Sequence, residues 1–353
     1  MYQQTLFAQH SFSRYLILIV LCISLFSCKE SNESQPDVSS VTVQLNTRRL
    51  DKELKALDTN QLAEGLVRLQ KQYPDFLNFY LDTLMGFNIN GNYTPDNKGI
   101  NEGLRSFLTF KDYSDLFDTV SIHYPSTEDV EKELIKGFQY LQHYYPAYKV
   151  PKVVYFVSGL SNWGVVSYDG VLGIGLDMFL GEKYPYYAAV GQPDYMYINF
   201  RKASIAPSVF STIYNDFHPF EDEEKTLLEM MIQKGKQQYF VEKMLPFVSL
   251  EDRIGYTKSQ LDWCKENEAM IYNFFLNKNL MFEKNWGVMR RFVVYGPNTS
   301  GMPPESPGNI GTWVGLQIVK AYVKEHPQMD LEKMFSDENA EQFLKKAKYK
   351  PKK

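Results

Sequence analysis

Val153-Val-Tyr-Phe-Val157, followed by Trp163-Gly-Val-Val-Ser-Tyr168-Asp169-Gly170-Val171-Leu-Gly-Ile-Gly-Leu176, sets the architectural class of this chain. The first run is short, apolar and rich in β-branched and aromatic residues, which suits a buried strand. The next two runs meet at Asp169-Gly170, and because glycine tolerates the positive φ of a type I′ turn, they read as a hairpin. A small, partly antiparallel sheet is therefore expected in the middle of the chain. On either side of it the apolar spacing becomes helical. Upstream, Leu66, Leu69, Tyr73, Phe76, Leu77 and Tyr80 recur at helical intervals, interrupted by Pro74, and 87–101 is a Gly/Asn/Pro loop. Thr127-Glu128-Asp129-Val130 reads as an N-cap with early acids, opening a helix that runs through Leu134, Phe138 and Leu141 to His143, with Pro146 as a stop. Ahead of these, Val41-Thr-Val-Gln-Leu45 alternates like a strand, and Arg48 to Leu54 opens a helix. Downstream, Val209, Ile213 and Phe217, then Leu227, Leu228, Met231, Ile232, Tyr239 and Phe240, and later 261–280, again follow helical spacing. The expected class is α+β, predominantly helical. It forms a single domain over 41–353, with a helical layer at 41–150 and a sheet-plus-helices part at 151–353.

The N-terminus carries a different signal. Arg14 precedes the apolar run Tyr15-Leu-Ile-Leu-Ile-Val-Leu-Cys-Ile-Ser-Leu-Phe26, which is too short to span a bilayer and ends in Leu25-Phe26-Ser27-Cys28. This resembles a bacterial lipobox. Residues 1–27 are read as a lipoprotein signal peptide, removed behind the small Ser27 once the Cys28 thiol carries a diacylglyceryl group. Residues 28–40, polar and rich in serine, then form a tether from the lipidated Cys28. Membrane attachment through that lipid is the first expected partner contact, and no other cofactor is expected.

Composition narrows the rest. Hydrophobic residues make up 44% of the chain and aromatic residues 15%, enough to fill a sizeable core. The net charge of −4 becomes one unit more negative once Arg14 is removed, which offers no attraction for nucleic acid. After processing and acylation, Cys264 is the remaining thiol, so an intramolecular disulfide is excluded and Cys264 is expected to act as a small apolar residue.

Motifs for hydrolysis are missing from the sequence. His123, His143, His218 and His326 lie far apart, and no His-x-x-x-His places two ligands one helical turn apart. Neither a Gly-x-Ser-x-Gly elbow nor a phosphate-cradling Gly-Lys-Ser/Thr loop occurs. Five residues remain as candidates for lining a cleft: Asp177, Glu229, Glu305, Trp313 and Gln317. Asp177 follows an apolar strand, where a carboxylate must be paired or face a groove. Glu305, Trp313 and Gln317 belong to the motif Glu305-Ser306-Pro307-Gly308-Asn309-Ile310-Gly311-Thr312-Trp313-Val314-Gly315-Leu316-Gln317-Ile318-Val319 and read as a polar and aromatic rim. Gly311 and Gly315 share a helix face that lets another backbone approach. Glu229 reads also as an ordinary helix residue, His218 as a loop residue, and the acids from Glu221 to Glu224 as complementing the start of the next helix.

Together with the lipobox, several stretches resemble the gliding-motility lipoprotein GldB family. They are Leu50-Asp51-Lys52-Glu53-Leu54, Tyr144-Tyr145-Pro146, Gly175-Leu176-Asp177-Met178-Phe179-Leu180-Gly181, Met231-Ile232-Gln233-Lys234-Gly235-Lys236 and the Glu305–Val319 motif. The resemblance implies an envelope lipoprotein of the Bacteroidetes group. It is expected in the outer membrane, without enzymatic activity, and bound to motility or secretion proteins of the envelope. It also implies a zincin-like, metallopeptidase-like fold, in which a sheet precedes a helix carrying His-Glu-x-x-His. Residues 208–217 occupy that place without the two histidines or the glutamate, so neither a catalytic residue nor a metal ligand is expected there. The alternative is an envelope hydrolase with a non-standard metal site drawn from His218, Glu229, Asp177 and Glu305.

Overall fold

The computed structural model describes residues 35–221 and 223–352. The signal segment and Cys28 lie outside them. Val38–Lys353 forms one compact unit. Its sheet has four strands: β1 (Thr47–Arg49), β2 (Lys152–Phe156), β3 (Val165–Tyr168) and β4 (Val171–Gly175), in the order β1-β2-β4-β3. β2 pairs in parallel with both β1 and β4, while β3 pairs antiparallel to β4. Lying between two neighbours, β2 buries every residue after Lys152, as a continuous apolar run requires. The β3–β4 hairpin turns at Asp169 (φ 44°) and Gly170 (φ 73°), the left-handed pair a type I′ turn needs. The sheet is thus mixed, and one strand is not where the alternation at Val41–Leu45 placed it. β1 begins later and is held by a parallel partner a hundred residues away, a contact that local alternation does not encode.

Between β1 and β2 run α1 (Leu50–Lys55), α2 (Leu62–Gln70), α3 (Lys111–His123) and α4 (Glu128–Tyr144). The helical pattern through Tyr80 breaks around Pro74 and resumes at Phe76–Asn78, widening into a π-type turn at Phe79–Leu84. Phe76 and Tyr80 pack against Phe156 of β2, and the Tyr80 hydroxyl donates to the Val157 carbonyl at 2.8 Å. At the start of α4, the Thr127 hydroxyl turns to Glu131 Oε1 (2.7 Å) and does not cap the helix.

After the sheet come α5 (Ile205–Phe217), α6 (Leu227–Met244), α7 (Leu250–Ile254), α8 (Trp286–Val293), α9 (Ile310–Glu325) and α10 (Ala340–Ala347). α6 and α9 touch backbone to backbone. A Cβ on Gly315 would lie 1.7 Å from the Met231 carbonyl oxygen, and one on Gly235 would lie 2.2 Å from the Gly315 carbonyl carbon. Only residues without a side chain permit this approach. Gly311, one turn earlier, faces Phe292 and Val293 of α8. Cys264 is buried, and burial pushes its thiol up to about 12.

Lys236 ties the C-terminal segment to α6. Its side chain is buried, its Nζ donates to the carbonyls of Phe335 (3.3 Å) and Asp337, and it sits 4.9 Å from the centre of the Phe343 ring. Burial pushes the ammonium down to about 8, against the opposing pull of Asp337 and Glu338. Between about 8 and the ordinary 10.5, the unfolded chain keeps a proton that the folded chain has released, so this group's contribution to stability rises with pH through that window. Relative to Lys236→Met, the native protein should gain about 2 kcal/mol between about pH 7.5 and about pH 9.5, measured by urea denaturation. Tyrosine ionisation is common to both proteins and cancels; parallel profiles would show that the amine is not buried.

Candidate functional site

The loops at the carboxyl ends of β2 and β4 occupy the place where open α/β sheets commonly bind ligands. Asp177 lies at their centre, in the 3₁₀ turn Leu176–Phe179, and is fully buried. Both carboxylate oxygens accept the Ser158 N–H (3.0 Å each), and Oδ2 also accepts from the Ser158 hydroxyl (3.0 Å) and the Leu160 N–H (2.7 Å). These bonds hold Gly159 (φ 70°) and Leu160 (φ 62°) in left-handed conformations. The Tyr187 hydroxyl adds a third loop, donating to the Asp177 carbonyl and accepting from the Leu180 N–H, both at 2.9 Å. Burial raises the Asp177 carboxyl above the usual range, opposed by the donors on Leu160 and Ser158. Of the two roles open to a carboxylate here, Asp177 takes the paired one: it organises the loops from within and faces no groove.

Outside this clamp stands a group of exposed aromatic side chains. Tyr113 at the start of α3 is 40% exposed, Trp163 38% and Tyr186 50%. The Tyr113 ring reaches within 3.2 Å of where a side chain at Gly159 would begin, and Tyr186 packs on Tyr184 with ring centres 5.6 Å apart. A hydrogen bond from Gln192 to Asn162 joins the two tyrosine- and tryptophan-bearing loops. The cluster 184–197 contains five tyrosines, a compositional signal that sequence reasoning passed over.

The other sequence candidates do not gather there. Glu229 closes a capping box, accepting from the Thr226 N–H (2.7 Å) and hydroxyl (2.8 Å) while its own N–H donates to Thr226 Oγ1 (3.3 Å). Burial works against its charge, but the Thr226 donors and Lys225 and Lys284 outweigh it and hold the carboxyl below its usual range. The Thr-x-x-Glu spacing was visible in the sequence and names the helix start more sharply than the upstream acids do. Trp313 is buried to 2% exposure inside the α9 packing, so it is a core residue and not part of an open rim. Glu305 is exposed in the loop before α9, and Gln317 is half-buried on that helix. Among the described residues, no three His, Cys, Asp or Glu side chains converge in a way that would hold a metal, so the set His218, Glu229, Asp177 and Glu305 is not assembled.

His218 has a more defined place than a loop residue. It ends α5, its side chain is 9% exposed, and its ring lies 5.0 Å from Tyr214 and 5.6 Å from Phe335. Burial pushes its pKa down, partly offset by Glu332.

No helix among the described residues is long and apolar enough to cross a membrane. No curated protein and no solved structure matches the chain. The family model of the gliding motility protein GldB, whose designation marks lipoproteins, matches residues 31–351. That match takes in β1, the Asp177 clamp, the α6–α9 glycine contact and the Lys236 anchor alike. The chain therefore belongs to the GldB family of gliding motility proteins.

Proposed function

We propose that this protein is a lipid-anchored component of the cell envelope, held through Cys28 in the outer membrane. It has no enzymatic activity and supports gliding motility, and the protein secretion linked to it, by binding other envelope proteins. The observation that carries this reading is the use made of the residues on which a catalytic role would depend. The Asp177 oxygens are engaged by Ser158 and Leu160, and Glu229 is engaged by its own helix start. What these groups support is a rigid frame whose surface carries the exposed Tyr113, Trp163 and Tyr186. Aromatic side chains of this kind supply large contact area at low entropic cost and are enriched at protein interfaces.

The test is crosslinked affinity purification of the full-length, acylated protein from native envelopes, compared with a Tyr113→Ala, Trp163→Ala, Tyr186→Ala triple variant. Trp313→Ala would be a poor comparison, since it opens the core. Recovery of motility or secretion proteins, reduced in the variant, is expected; recovery of cell-wall fragments alone would favour a hydrolase or glycan-binding role. For the anchor, Cys28→Ser should leave unprocessed precursor in envelope fractions, and normal maturation of that variant would refute lipidation.

A further inference from the structure

We infer that Tyr145, Tyr214 and His218 bind one ordered water molecule, with Glu332 as its fourth partner. The site joins three parts of the chain: the turn that follows α4, the last turn and C-cap of α5, and the short helix Leu331–Phe335. Tyr145 Oη, Tyr214 Oη and His218 Nε2 are all buried, and none makes a direct hydrogen bond of ordinary length; Glu332 stands beside the Tyr145 hydroxyl and Gln233 beside the Tyr214 hydroxyl at longer range. The separation of 3.7 Å between His218 Nε2 and Glu332 Oε2 is too long for a direct hydrogen bond. Glu332 itself is 52% exposed, which places its carboxylate at the mouth of the site. The Tyr214 and His218 rings lie 5.0 Å apart, Tyr145 and His218 both pack on Phe217 (5.3 and 6.3 Å between ring centres), and the Glu332 charge acts on all three, so the four groups share one neighbourhood. Phe217, Phe240 and Phe335 wall the site and contribute no polar atom. The nearby Gln233 amide donates to the His218 carbonyl at 3.4 Å.

The hydrogen-bond inventory closes with a single water. Burial favours the neutral imidazole, and with its proton on Nδ1 it offers a lone pair at Nε2. Water then donates to Nε2 and to the Glu332 carboxylate, and accepts from the two tyrosine hydroxyls. Both of its donors and both of its acceptor positions are used, within the two to four partners that buried waters take. Without it, three neighbouring buried polar groups would each lack a close partner, a rare arrangement in folded proteins. The water forms a polar joint between α5 and the C-terminal segment, on the same side as the Lys236 anchor.

The experiment is a crystal structure of residues 29–353 at about 1.8 Å, paired with the melting temperature of Tyr214→Phe, a substitution that keeps the ring and its packing. The expected result is a density peak within about 3.2 Å of all four groups, with a melting temperature about 2 °C lower in the variant, because a satisfied hydroxyl has been lost. An empty site, or a melting temperature that rises because an unpartnered buried hydroxyl has been removed, overturns the inference.

Discussion

Gly315→Ala should destabilise the protein by at least about 3 kcal/mol in urea denaturation, at or above the upper end of ordinary overpacking costs. The sign is the informative part. In a helix interior, glycine to alanine normally stabilises by about 1 kcal/mol through propensity alone. Here the added methyl would sit 1.7 Å from the Met231 carbonyl oxygen, so α6 and α9 must part along their whole contact. Backbone cannot move aside as a flexible side chain can. Gly235→Ala meets the Gly315 backbone at 2.2 Å and should behave in the same way. Gly311→Ala meets the Phe292 carbonyl at 2.9 Å and side chains at 3.1 Å and beyond, so its cost should be much smaller and partly cancelled by propensity. Equal or improved stability of Gly315→Ala would mean that the two helices do not touch as described.

Asp177→Ala should cost about 3–5 kcal/mol, because it strands the Ser158 and Leu160 N–H groups and the Ser158 hydroxyl in a buried place. Asp177→Asn keeps the shape and one acceptor oxygen but turns an amide NH₂ toward backbone donors, so it should fall between the two. The pH dependence separates this frame role from a catalytic one. Burial raises the folded carboxyl above its ordinary 3.8, so over the window just above that value the folded chain binds the proton more readily than the unfolded one. The stability of the native protein relative to Asp177→Asn should therefore decline as pH rises through that window. A catalytic carboxylate exposed in a groove would give an Asn variant with unchanged stability at every pH. That outcome would return Asp177 to the list of site residues.

These two positions differ in how far the sequence disclosed them. Gly311 and Gly315, four apart on a helical stretch, announced a close helix contact, but their partner was not legible. Gly235 lies eighty residues upstream, and nothing local to either glycine points to the other. Asp177 was legible as a carboxylate needing a partner, and its burial at the end of an apolar strand follows from the strand itself. That its partners are the backbone amides of Ser158 and Leu160, in left-handed turns, follows from how β2 and β4 come to lie side by side. Trp313 shows the converse failure. An aromatic residue between two glycines reads equally as a rim or as a core residue, and the choice depends on what covers that face of α9.

By itself the sequence determined what short-range physical chemistry can encode. It set the hairpin at Asp169-Gly170, an Asp-Gly pair suited to the positive φ angles of the turn, and the helices whose apolar spacing matches the 3.6-residue period. It set the helix start marked by Thr226 and Glu229, and the family to which the chain belongs. Only the tertiary structure decided the long-range pairings: β1 beside β2, Lys236 against the carbonyls of the C-terminal segment, and His218 beside Glu332. Each joins residues tens of positions apart or more. A distant contact leaves no period in the sequence, and a buried polar group records its need for a partner without recording which one it will meet.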